Sequence, residues 1–489
     1  MSLQAEKASQ DISIVIVDLD GTLILSDSLF EQLAALLRHP FSFLRAVPGL
    51  IAACMHSKSA FKECLAFHST RYLAVDTLPF SAELLDLLND YRARSFKIYL
   101  CTGAHISVAS MVADHLAIFD GVMASHADLN LVGRNKAQAL IDQFGEKSFI
   151  YAGNSSADLH VWNVSSSAVI VNASAQLLDK VSQFGNVETI VRRPSRGIRT
   201  WIKALRVHQW IKNFLVFAPL IASHQFFNPG NWLACIVTFL CFGCVASSVY
   251  LQNDLLDLPS DRLHLRKRLR PFASGLLPLE QGMLLAPVLL SVGLLGAWFQ
   301  NLSVFAWLTA YFLLTFAYSI HLKKLVLLDC IVLALLYTLR IVAGAASIHN
   351  QLSHWLLGFS FFLFFSLAMM KRYAELETKS LLANKEIIGR GYRPADMPLV
   401  LGLGLSSAFC SILVLSLYLN SDQVIKLYQF PEFIWAGVPV MLFWVSWMWL
   451  KAHRGEMLDD PVLFAAKDKL SLISVLVLGI VLIVATLGL

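Results

Sequence analysis

Between two long apolar segments the chain reads NDLLDLPSD, residues 253–261. Asp254, Asp257 and Asp261 are spaced i, i+3 and i+7, which on a helix puts three carboxylates on one face. Asn253 widens that face. Ionisable side chains at the end of an apolar helix are costly and usually functional. Hard oxygen ligands next to the basic segment 262–270 suit a Mg2+ ion that binds a diphosphate. The alternative is that residues 253–270 form a charged loop that is only solvated.

The two halves of the chain have different compositions. The 489 residues are 56% hydrophobic and 15% charged, which excludes a wholly soluble protein. Residues 1–200 have a soluble composition, whereas residues 201–489 alternate between apolar runs and charged loops. A helix needs about 20 apolar residues to cross a membrane. The sequence predicts nine such spans, at about 213–228, 232–252, 283–299, 303–319, 325–347, 354–370, 398–419, 432–450 and 470–488.

The loop charges predict an orientation in an inner or plasma membrane. Basic residues concentrate in the loops after the second, fourth, sixth and eighth spans, and the other loops carry only Lys426. The positive-inside rule therefore puts the Asp row and the N-terminal half in the cytoplasm. Residues 191–212 are basic, lack acidic residues and contain Trp201 and Trp210. They are expected to form a connector at the membrane surface.

The soluble half shows the pattern of a parallel sheet with polar strand ends. Three apolar stretches, at 12–17, 98–101 and 149–152, are typical of buried strands. In an open parallel sheet the chemistry collects at the carboxyl ends of the strands. The side chains at those ends are Asp18, Asp20, Thr102, Asn154 and Asp158, and Lys136 begins a helical stretch between the second and third strands.

These motifs resemble the haloacid dehalogenase (HAD) superfamily over residues 10–180: DxDGT, then Thr, then Lys, then GNxxxD. The resemblance implies a Rossmann-like α/β domain over residues 1–190, with a helical cap at about 27–90. It implies Asp18 as nucleophile and metal ligand and Asp20 as general acid/base and metal ligand. Thr102 and Lys136 would hold phosphoryl oxygens. A carboxylate that attacks phosphorus needs Mg2+ and a Lys to offset the converging negative charge.

One departure concerns the metal site of this half. The HAD family often has Asp where this chain has Asn154, so the site would keep an oxygen ligand but lose a charge. Asp158 would complete the ligand set. An active phosphatase and a degenerate regulatory domain are therefore both open.

Residues 205–489 resemble the UbiA superfamily of intramembrane transferases. The resemblance rests on NDLLDLPSD, on Arg270-Pro271 and Ser274-Gly275, and on the nine predicted spans, and it implies an all-α membrane bundle. The closest likeness is to the branch that makes 5-phosphoribosyl polyprenyl phosphate. The motifs that carry this likeness are QWxKN at 209–213, Tyr318-Ser319, Leu322-Lys323, Asp329, Arg340 and KRxxEL at 371–376. Leu265 departs from that branch, which tends to have Pro there.

The charges favour the same branch. Aromatic prenyltransferases usually carry a second acidic motif after the sixth span, where this chain has Lys371 and Arg372. An acidic face with Mg2+, bound by Asn253, Asp254, Asp257 and Asp261, can hold a diphosphate. A basic face can hold a second anion such as a lipid phosphate. Ordinary membrane anchoring by these basic residues is the alternative. The predicted substrate-binding residues are Asp261, Lys267, Arg270, Tyr318, Lys323, Arg340, Lys371 and Arg372.

The sequence thus predicts transfer of 5-phosphoribose from phosphoribosyl pyrophosphate (PRPP) to a polyprenyl phosphate, with Asp254 and Asp257 as catalytic residues. The HAD-like half would then remove the 5-phosphate. One alternative is a prenyltransferase that joins a prenyl diphosphate to an aromatic acceptor. A transporter is disfavoured because the predicted ionisable residues lie mainly at one mouth. Mg2+ is the expected cofactor, membrane lipids are expected partners, and no nucleic acid is expected.

Overall fold

The structure, a computed structural model, describes residues 13–126, 129–192, 197–380, 391–425, 427–457 and 460–487. Lys426, residues 193–196 of the predicted connector and residues 381–390 of the loop after the sixth predicted span lie outside this part. The chain forms two compact units. The first comprises Met1–Ala204 and Leu251–Leu285, and the second comprises Leu205–Tyr250 and Ala286–Leu489.

The first unit contains a six-stranded parallel sheet in the order β3-β2-β1-β4-β5-β6. The strands are β1 Ile14–Val17, β2 Lys97–His105, β3 Gly121–Ser125, β4 Ile150–Gly153, β5 Ser167–Val171 and β6 Val187–Val191. Strand β1 is central and buried on both faces. Val15 and Val17 enter the core on one side, and Ile16 packs with Tyr151 on the other. Its unbroken apolar sequence is therefore explained by burial on both faces.

Nine helices surround this sheet or follow it. They are α1 Ser28–Leu37, α2 Pro40–His56, α3 Lys58–Ser69, α4 Ala82–Ala93, α5 Ile106–Leu116, α6 Arg134–Phe144, α7 Leu159–Val164, α8 Ala175–Ser182 and α9 Ile198–Ala204. Helices α1–α3 form the predicted cap and pack through a small core that includes Leu36, Leu50 and Leu65. The predicted α/β domain with a helical cap is confirmed.

The rest of the chain is helical. The helices are α10 Ala218–Ala222, α11 Pro229–Leu256, α12 Leu258–Leu263, α13 Leu279–Gln300, α14 Leu302–Ile320, α15 Leu328–Ser347, α16 His354–Ser380, α17 Met397–Leu419, α18 Asp422–Ile425, α19 Gly437–His453, α20 Pro461–Ala465 and α21 Lys469–Leu487. Within the described residues, eight helices are long and apolar enough to cross a membrane: α11, α13, α14, α15, α16, α17, α19 and α21. Eight of the nine predicted spans correspond to them.

The remaining predicted span, 213–228, is not a long helix. It consists of a 3-10 helix at Val207–Phe217, the five-residue α10 and a 3-10 turn at Gln225–Phe227. His224 adopts a left-handed backbone with φ +55°, which ends the helical run. Pro219 has no N–H for a longer helix to use. The segment is apolar, as the prediction assumed, but its backbone does not continue as one helix.

Candidate active sites

The carboxyl ends of β1 and β4 meet at the first candidate site, the strand-end site of Asp18, Asp20, Lys136, Asn154 and Asp158. The backbone N–H of Asp18 donates to Ala152 O at 3.0 Å, which fixes the end of β1 beside β4. Helix α6 supplies Lys136. Its Nζ donates to Asp18 Oδ1 at 2.6 Å and to the Tyr151 hydroxyl at 3.0 Å. The predicted meeting of Asp18 and Lys136 is therefore present.

Asp158 is held by the protein on both of its oxygens. Oδ1 accepts from the Tyr151 hydroxyl at 2.7 Å, and Oδ2 accepts from the Ser155 hydroxyl at 2.9 Å and from two backbone N–H groups. It lies 3.7 Å from Lys136 Nζ. These bonds fix Asp158 beside Lys136 and the Asn154 turn. Its predicted role as a metal ligand stays a prediction.

Gly21 makes room for Asn154 at this site. Its φ is +73°, and a Cβ there would lie 2.2 Å from Asn154 Nδ2. Only glycine adopts this backbone while leaving space for the amide. The DxDGT turn and the Asn154 side chain are thereby packed together, as expected if both serve one site.

Burial shifts the protonation of both Asp residues of the DxDGT turn. It raises the pKa of Asp18 to about 7, although Lys136 acts in the opposite direction. Burial and then neighbouring Asp27 raise the pKa of Asp20 to about 7. Burial alone would lower the pKa of Lys136, but Asp18 and Asp158 reverse this and raise it. The site therefore holds more buried acidic groups than Lys136 balances, which fits a site for a divalent cation with oxygen ligands.

A cavity of about 110 Å³ opens beside Asp20 and is also lined by Asp27, Ser28 and Lys62. Asp20 Oδ1 accepts from the Ser28 backbone N–H at 2.7 Å. Lys62, from cap helix α3, donates to Gly103 O at 2.6 Å, one residue beyond Thr102. Thr102 is fully buried and its hydroxyl accepts from the Ala104 N–H. The cavity thus lies between the cap and the ends of the strands.

The second candidate site is the acidic loop, residues 253–270. Helix α11 ends at Leu256 and α12 begins at Leu258, so the carboxylates do not share one continuous helix as predicted. Pro259 in the first turn of α12 lacks the N–H that an unbroken helix requires. Backbone bonds Asp257 N–Asn253 O and Asp261 N–Asp257 O, both 2.9 Å, nevertheless keep the helical spacing across the break.

Arg270 joins the two buried carboxylates of the acidic loop. Its Nη1 lies 3.1 Å from Asp254 Oδ1 and 2.5 Å from Asp261 Oδ2. Lys267 Nζ is 3.9 Å from Asp261 Oδ1, an oxygen that is buried and has no hydrogen-bond partner within the described residues. Burial raises the pKa of Asp261 above its usual value, and the nearby Arg270 offsets only part of that rise.

The carboxylates of neither site form a ready-made metal cage. In the described part of the chain, no three His, Cys, Asp or Glu side chains are arranged to hold a metal ion. Lys136 and Arg270 instead occupy the space between the acidic groups. The donor chemistry still fits Mg2+, because both sites offer oxygen ligands and the buried Asp261 Oδ1 accepts no hydrogen bond from the described residues. The predicted metal-binding roles of Asp254 and Asp257 remain predictions.

Within the first unit, the cap contacts the acidic loop directly. Arg262 binds Glu31 of α1 through two bonds, Nη2–Oε1 at 2.5 Å and Nη1–Oε2 at 3.1 Å. Both side chains are buried, and Glu31 also accepts from the Ser26 hydroxyl. A Cβ at Gly275 would lie 2.7 Å from Leu25 Cβ. The loop that follows the DxDGT turn therefore packs against the segment that carries the acidic motif.

The second unit contains a buried ion cluster, here the Asp460 cluster, made of Lys212, Tyr337, Lys371 and Asp460. Asp460 Oδ2 accepts from Lys212 Nζ at 2.9 Å and from Lys371 Nζ at 3.1 Å. The Tyr337 hydroxyl donates to Oδ1 at 3.2 Å. Burial opposes ionisation of Asp460, but Lys371 and Lys212 prevail and hold its pKa well below the usual range. Two cations share one carboxylate, so the cluster is net positive.

Arg372 lies in a neighbouring buried network. Its Nε is 2.9 Å from Asp329 Oδ2, and Asp329 Oδ1 accepts from the Tyr392 hydroxyl at 2.7 Å. Arg372 Nη1 bonds Glu375, whereas the buried Nη2 has no hydrogen-bond partner among the described residues. Tyr318 is an electrostatic neighbour of Arg372. A fully buried guanidinium with an unused N–H group is a candidate anion ligand.

Arg340 does not join these cations. Its donors go to Asn213 Oδ1 at 3.0 Å, to the Tyr311 hydroxyl at 2.9 Å and to Leu336 O at 2.5 Å. These contacts hold Arg340 within the helical bundle, and its predicted contact with substrate stays a prediction. Lys323 is half-buried in the 3-10 turn Leu322–Lys324.

Sequence reasoning missed Asp460, Tyr151 and the Glu31–Arg262 pair. Asp460 precedes Pro461 at the start of α20, and Asp before Pro is a helix N-cap signal that could have singled it out. Tyr151 lies in an apolar strand and gives no such signal. Glu31 and Arg262 are 231 positions apart, and nothing local connects them.

Comparisons with known proteins agree with this division of the chain. The model of the UbiA prenyltransferase family matches residues 214–473. An uncharacterized protein, y4nM of Sinorhizobium fredii, is 38% identical over 460 residues, covering 94% of this chain and 88% of that protein. Both units are therefore present together in that relative.

A more restricted match covers part of the membrane half. The decaprenyl-phosphate phosphoribosyltransferase of Corynebacterium glutamicum is 35% identical over 190 residues, which are 38% of this chain and 57% of that protein. The N-terminal region has HAD-like structural neighbours. One is a HAD family hydrolase from Salmonella enterica serovar Typhi, at a TM-score of 0.26 and 16% identity, covering 34% of this chain and 65% of that one.

Proposed function

Because the chain belongs to the UbiA prenyltransferase family and is an integral membrane protein, we propose that it transfers 5-phosphoribose from PRPP to a polyprenyl phosphate. The HAD-like domain then removes the 5-phosphate from the lipid product. The partial similarity to a decaprenyl-phosphate phosphoribosyltransferase supports the choice of substrates. The acidic loop and the HAD-like domain face the cytoplasm, as the loop charges predict.

The observation that carries the proposal is the Asp460 cluster of the second unit, which is net positive. Lys212 and Lys371 share one carboxylate, and Nη2 of the buried Arg372 has no hydrogen-bond partner among the described residues. Two lysines on one carboxylate leave one positive charge unmatched, which a lipid phosphate would match. An acceptor without a negative charge would leave that positive charge unmatched. We therefore propose an anionic acceptor, the polyprenyl phosphate.

The acidic loop is proposed to bind the donor's diphosphate. Asn253, Asp254 and Asp257 would hold Mg2+, which supplies positive charge to the leaving pyrophosphate. Arg270, which lies between Asp254 and Asp261, would turn toward the diphosphate when it binds. Lys267 is exposed at the same loop and adds a further cation.

The transfer reaction needs little acid–base chemistry. An oxygen of the lipid phosphate attacks the anomeric carbon of PRPP, and the bond from that carbon to pyrophosphate breaks. The electron pair leaves with pyrophosphate. The attacking phosphate is already ionised, so no general base is required. The protein's task is to hold two anions in line, which is the work of oriented cations.

The HAD-like site is proposed to hydrolyse the resulting phosphomonoester. Asp18 attacks phosphorus, and the phosphorus–oxygen bond to the sugar breaks as Asp20 protonates the leaving sugar oxygen. Water, which gives a proton to Asp20, then attacks the phosphorus and releases phosphate from Asp18. Lys136, 2.6 Å from Asp18, offsets the negative charge that builds up there. Asn154 and Asp18 would hold Mg2+. The product of the complete sequence is a polyprenylphosphoryl ribose, a donor for cell-envelope pentose.

A second candidate function is prenyl transfer to an aromatic acceptor, which the family match also permits. In that case the acidic loop would bind a prenyl diphosphate, and the Asp460 cluster would have only a structural role. The two functions predict different substrates, so one assay separates them.

The test uses the purified full chain in lipid with Mg2+. It receives either labelled PRPP with polyprenyl phosphate or labelled prenyl diphosphate with an aromatic acid. Label transferred from PRPP to lipid is the expected result. Transfer from prenyl diphosphate alone would replace the proposal with the second function.

A further inference from the structure

Helix α2 of the cap presents an apolar face to solvent. Phe41, Leu44, Ile51 and Met55 are spaced by three, seven and four residues, which places them on one side of the helix. Phe41 is 81% exposed and Met55 is 84% exposed. The opposite side, with Ala46 and Leu50, packs into the cap core. A contiguous exposed apolar face on a soluble domain marks a surface that binds something.

The charges around this face favour an anionic surface as its partner. Residues 32–62 contain no Asp or Glu, and Arg45 and Lys58 are both exposed there. An amphipathic helix with a large apolar face and a basic flank is typical of helices that lie in a membrane interface. Anionic headgroups attract such Lys and Arg side chains. A partner protein with an apolar groove would not explain the absence of acids over 31 residues.

Within the first unit, the cap is linked to the loop between two candidate membrane helices. The first unit includes the end of α11 and the start of α13, two of the helices able to cross a membrane. Helix α1, which directly precedes α2, is tied to the loop between them by the Glu31–Arg262 pair. Asp27, at the N-cap of α1, is an electrostatic neighbour of Glu280 in the first turn of α13. The cap therefore contacts the loop at which two candidate membrane helices end, where a membrane surface is expected.

We propose that α2 lies in the membrane interface, with Phe41, Leu44, Ile51 and Met55 among the lipid acyl chains and Arg45 and Lys58 against headgroup phosphates. The proposal does not rest on the proposed catalytic function. It would hold if the HAD-like domain were inactive. If that domain is active, docking brings the cavity beside Asp20 to the level of lipid headgroups.

The experiment places a fluorophore at Met55 in the full chain, in nanodiscs of phosphatidylethanolamine and phosphatidylglycerol. Cys54 and Cys410, the two exposed cysteines among the described residues, are first changed to Ser. Met55→Cys then carries an environment-sensitive dye, and some nanodiscs contain lipids with a spin-label quencher in the acyl chain. Asp179→Cys, exposed on α8, is the matched control.

Docking predicts a blue-shifted emission at position 55 and a loss of fluorescence with quencher lipids, and neither effect at position 179. Water-like emission at position 55 would overturn the proposal. A blue shift without lipid quenching would also overturn it, because a second copy of the chain would then cover the face. Arg45→Glu should weaken the quenching at position 55. Unchanged quenching in that variant would remove the headgroup contact from the proposal.

Discussion

The strand-end site and the acidic loop each place a cation between two carboxylates, but they hold that cation differently. Lys136 is 4% exposed and is fixed by Asp18, Tyr151 and the nearby Asp158. Arg270 has a side chain that is 27% exposed and lies on a loop after a short 3-10 turn. Lys136 is therefore already held in place by its partners. Arg270 is more exposed, and we expect it to shift when a ligand binds to the acidic loop.

The difference follows from how each site is assembled. The strand-end site draws its residues from β1, β4 and α6, and the packed sheet holds them in place. The acidic loop draws its residues from one short stretch of chain, and no sheet supports it. Preorganised charges contribute most to catalysis because they need no rearrangement during the reaction. We therefore expect substitutions in the strand-end site to have the more complete effects.

The largest effect is expected for Asp18→Asn. Loss of the nucleophile should lower phosphomonoester hydrolysis on the order of 10⁴-fold or more, while lipid transfer continues. Mass spectrometry of the lipid products should show a ribosyl lipid from the wild type and a 5-phosphoribosyl lipid from the variant. Asp142→Asn, an exposed change on α6, is the control. Identical lipids from both proteins would separate the HAD-like domain from the transferase pathway.

A smaller but still large effect is expected for Asp254→Asn. Removing one charge from a site that stabilises a leaving group typically costs about 10²- to 10³-fold in rate. Transfer from labelled PRPP at saturating Mg2+ is the measurement, and hydrolysis by the strand-end site should remain. Glu432→Gln, which removes an exposed carboxylate outside the acidic loop, is the control. Near-normal transfer by Asp254→Asn would remove the acidic loop from the reaction.

The parts that the sequence predicted are those that depend on short-range patterns. Buried strands followed by polar residues indicated the parallel sheet, and sheet topology then brought Asp18 and Lys136 together. The spacing of Asp254 and Asp261 survived a helix break because backbone bonds continue across Asp257. Long apolar runs correctly located eight helices, because bilayer thickness sets their length.

The parts that were missed depend on contacts between distant residues. Asp460 lies 89 positions from Lys371 and 248 from Lys212, and only the folded bundle brings them together. Charge counting therefore assigned Lys371 to the membrane surface or to a ligand, with no acidic partner. The segment 213–228 has the composition of a span, but its backbone turns at His224. Local composition cannot report where a tertiary fold bends the chain.

An intermediate effect is expected for Lys371→Met. A hydrogen bond to a charged group contributes about 1.5–3 kcal/mol, which corresponds to about a 10- to 100-fold rise in KM for polyprenyl phosphate. The KM for PRPP should change much less. Lys324→Met, an exposed change in the turn Leu322–Lys324, is the control. An equal rise in both KM values would assign Lys371 to the stability of the fold.

The smallest effect on activity is expected where the two sites meet, at Glu31 and Arg262. Glu31→Gln and Arg262→Met each leave a buried charge without its partner, which typically costs about 3–5 kcal/mol of stability. The double variant removes both charges and should recover part of that loss. Thermal unfolding of all four proteins measures the coupling. Glu188→Gln, whose carboxylate accepts from Tyr91 within the same unit, is the control.

The activities of these variants test whether the acidic loop depends more than the strand-end site on contacts from outside it. Arg262 lies in the acidic loop, whereas Glu31 follows the turn that carries Asp20. We therefore expect the pair to support the acidic loop more than it supports Asp18, the proposed nucleophile, which the sheet holds in place. A coupling of about 1 kcal/mol corresponds to about fivefold in rate. Glu31→Gln should lower lipid transfer by about that factor and hydrolysis by less. If both activities fall equally, the pair stabilises the unit as a whole, and the acidic loop is no more dependent on outside support than the strand-end site.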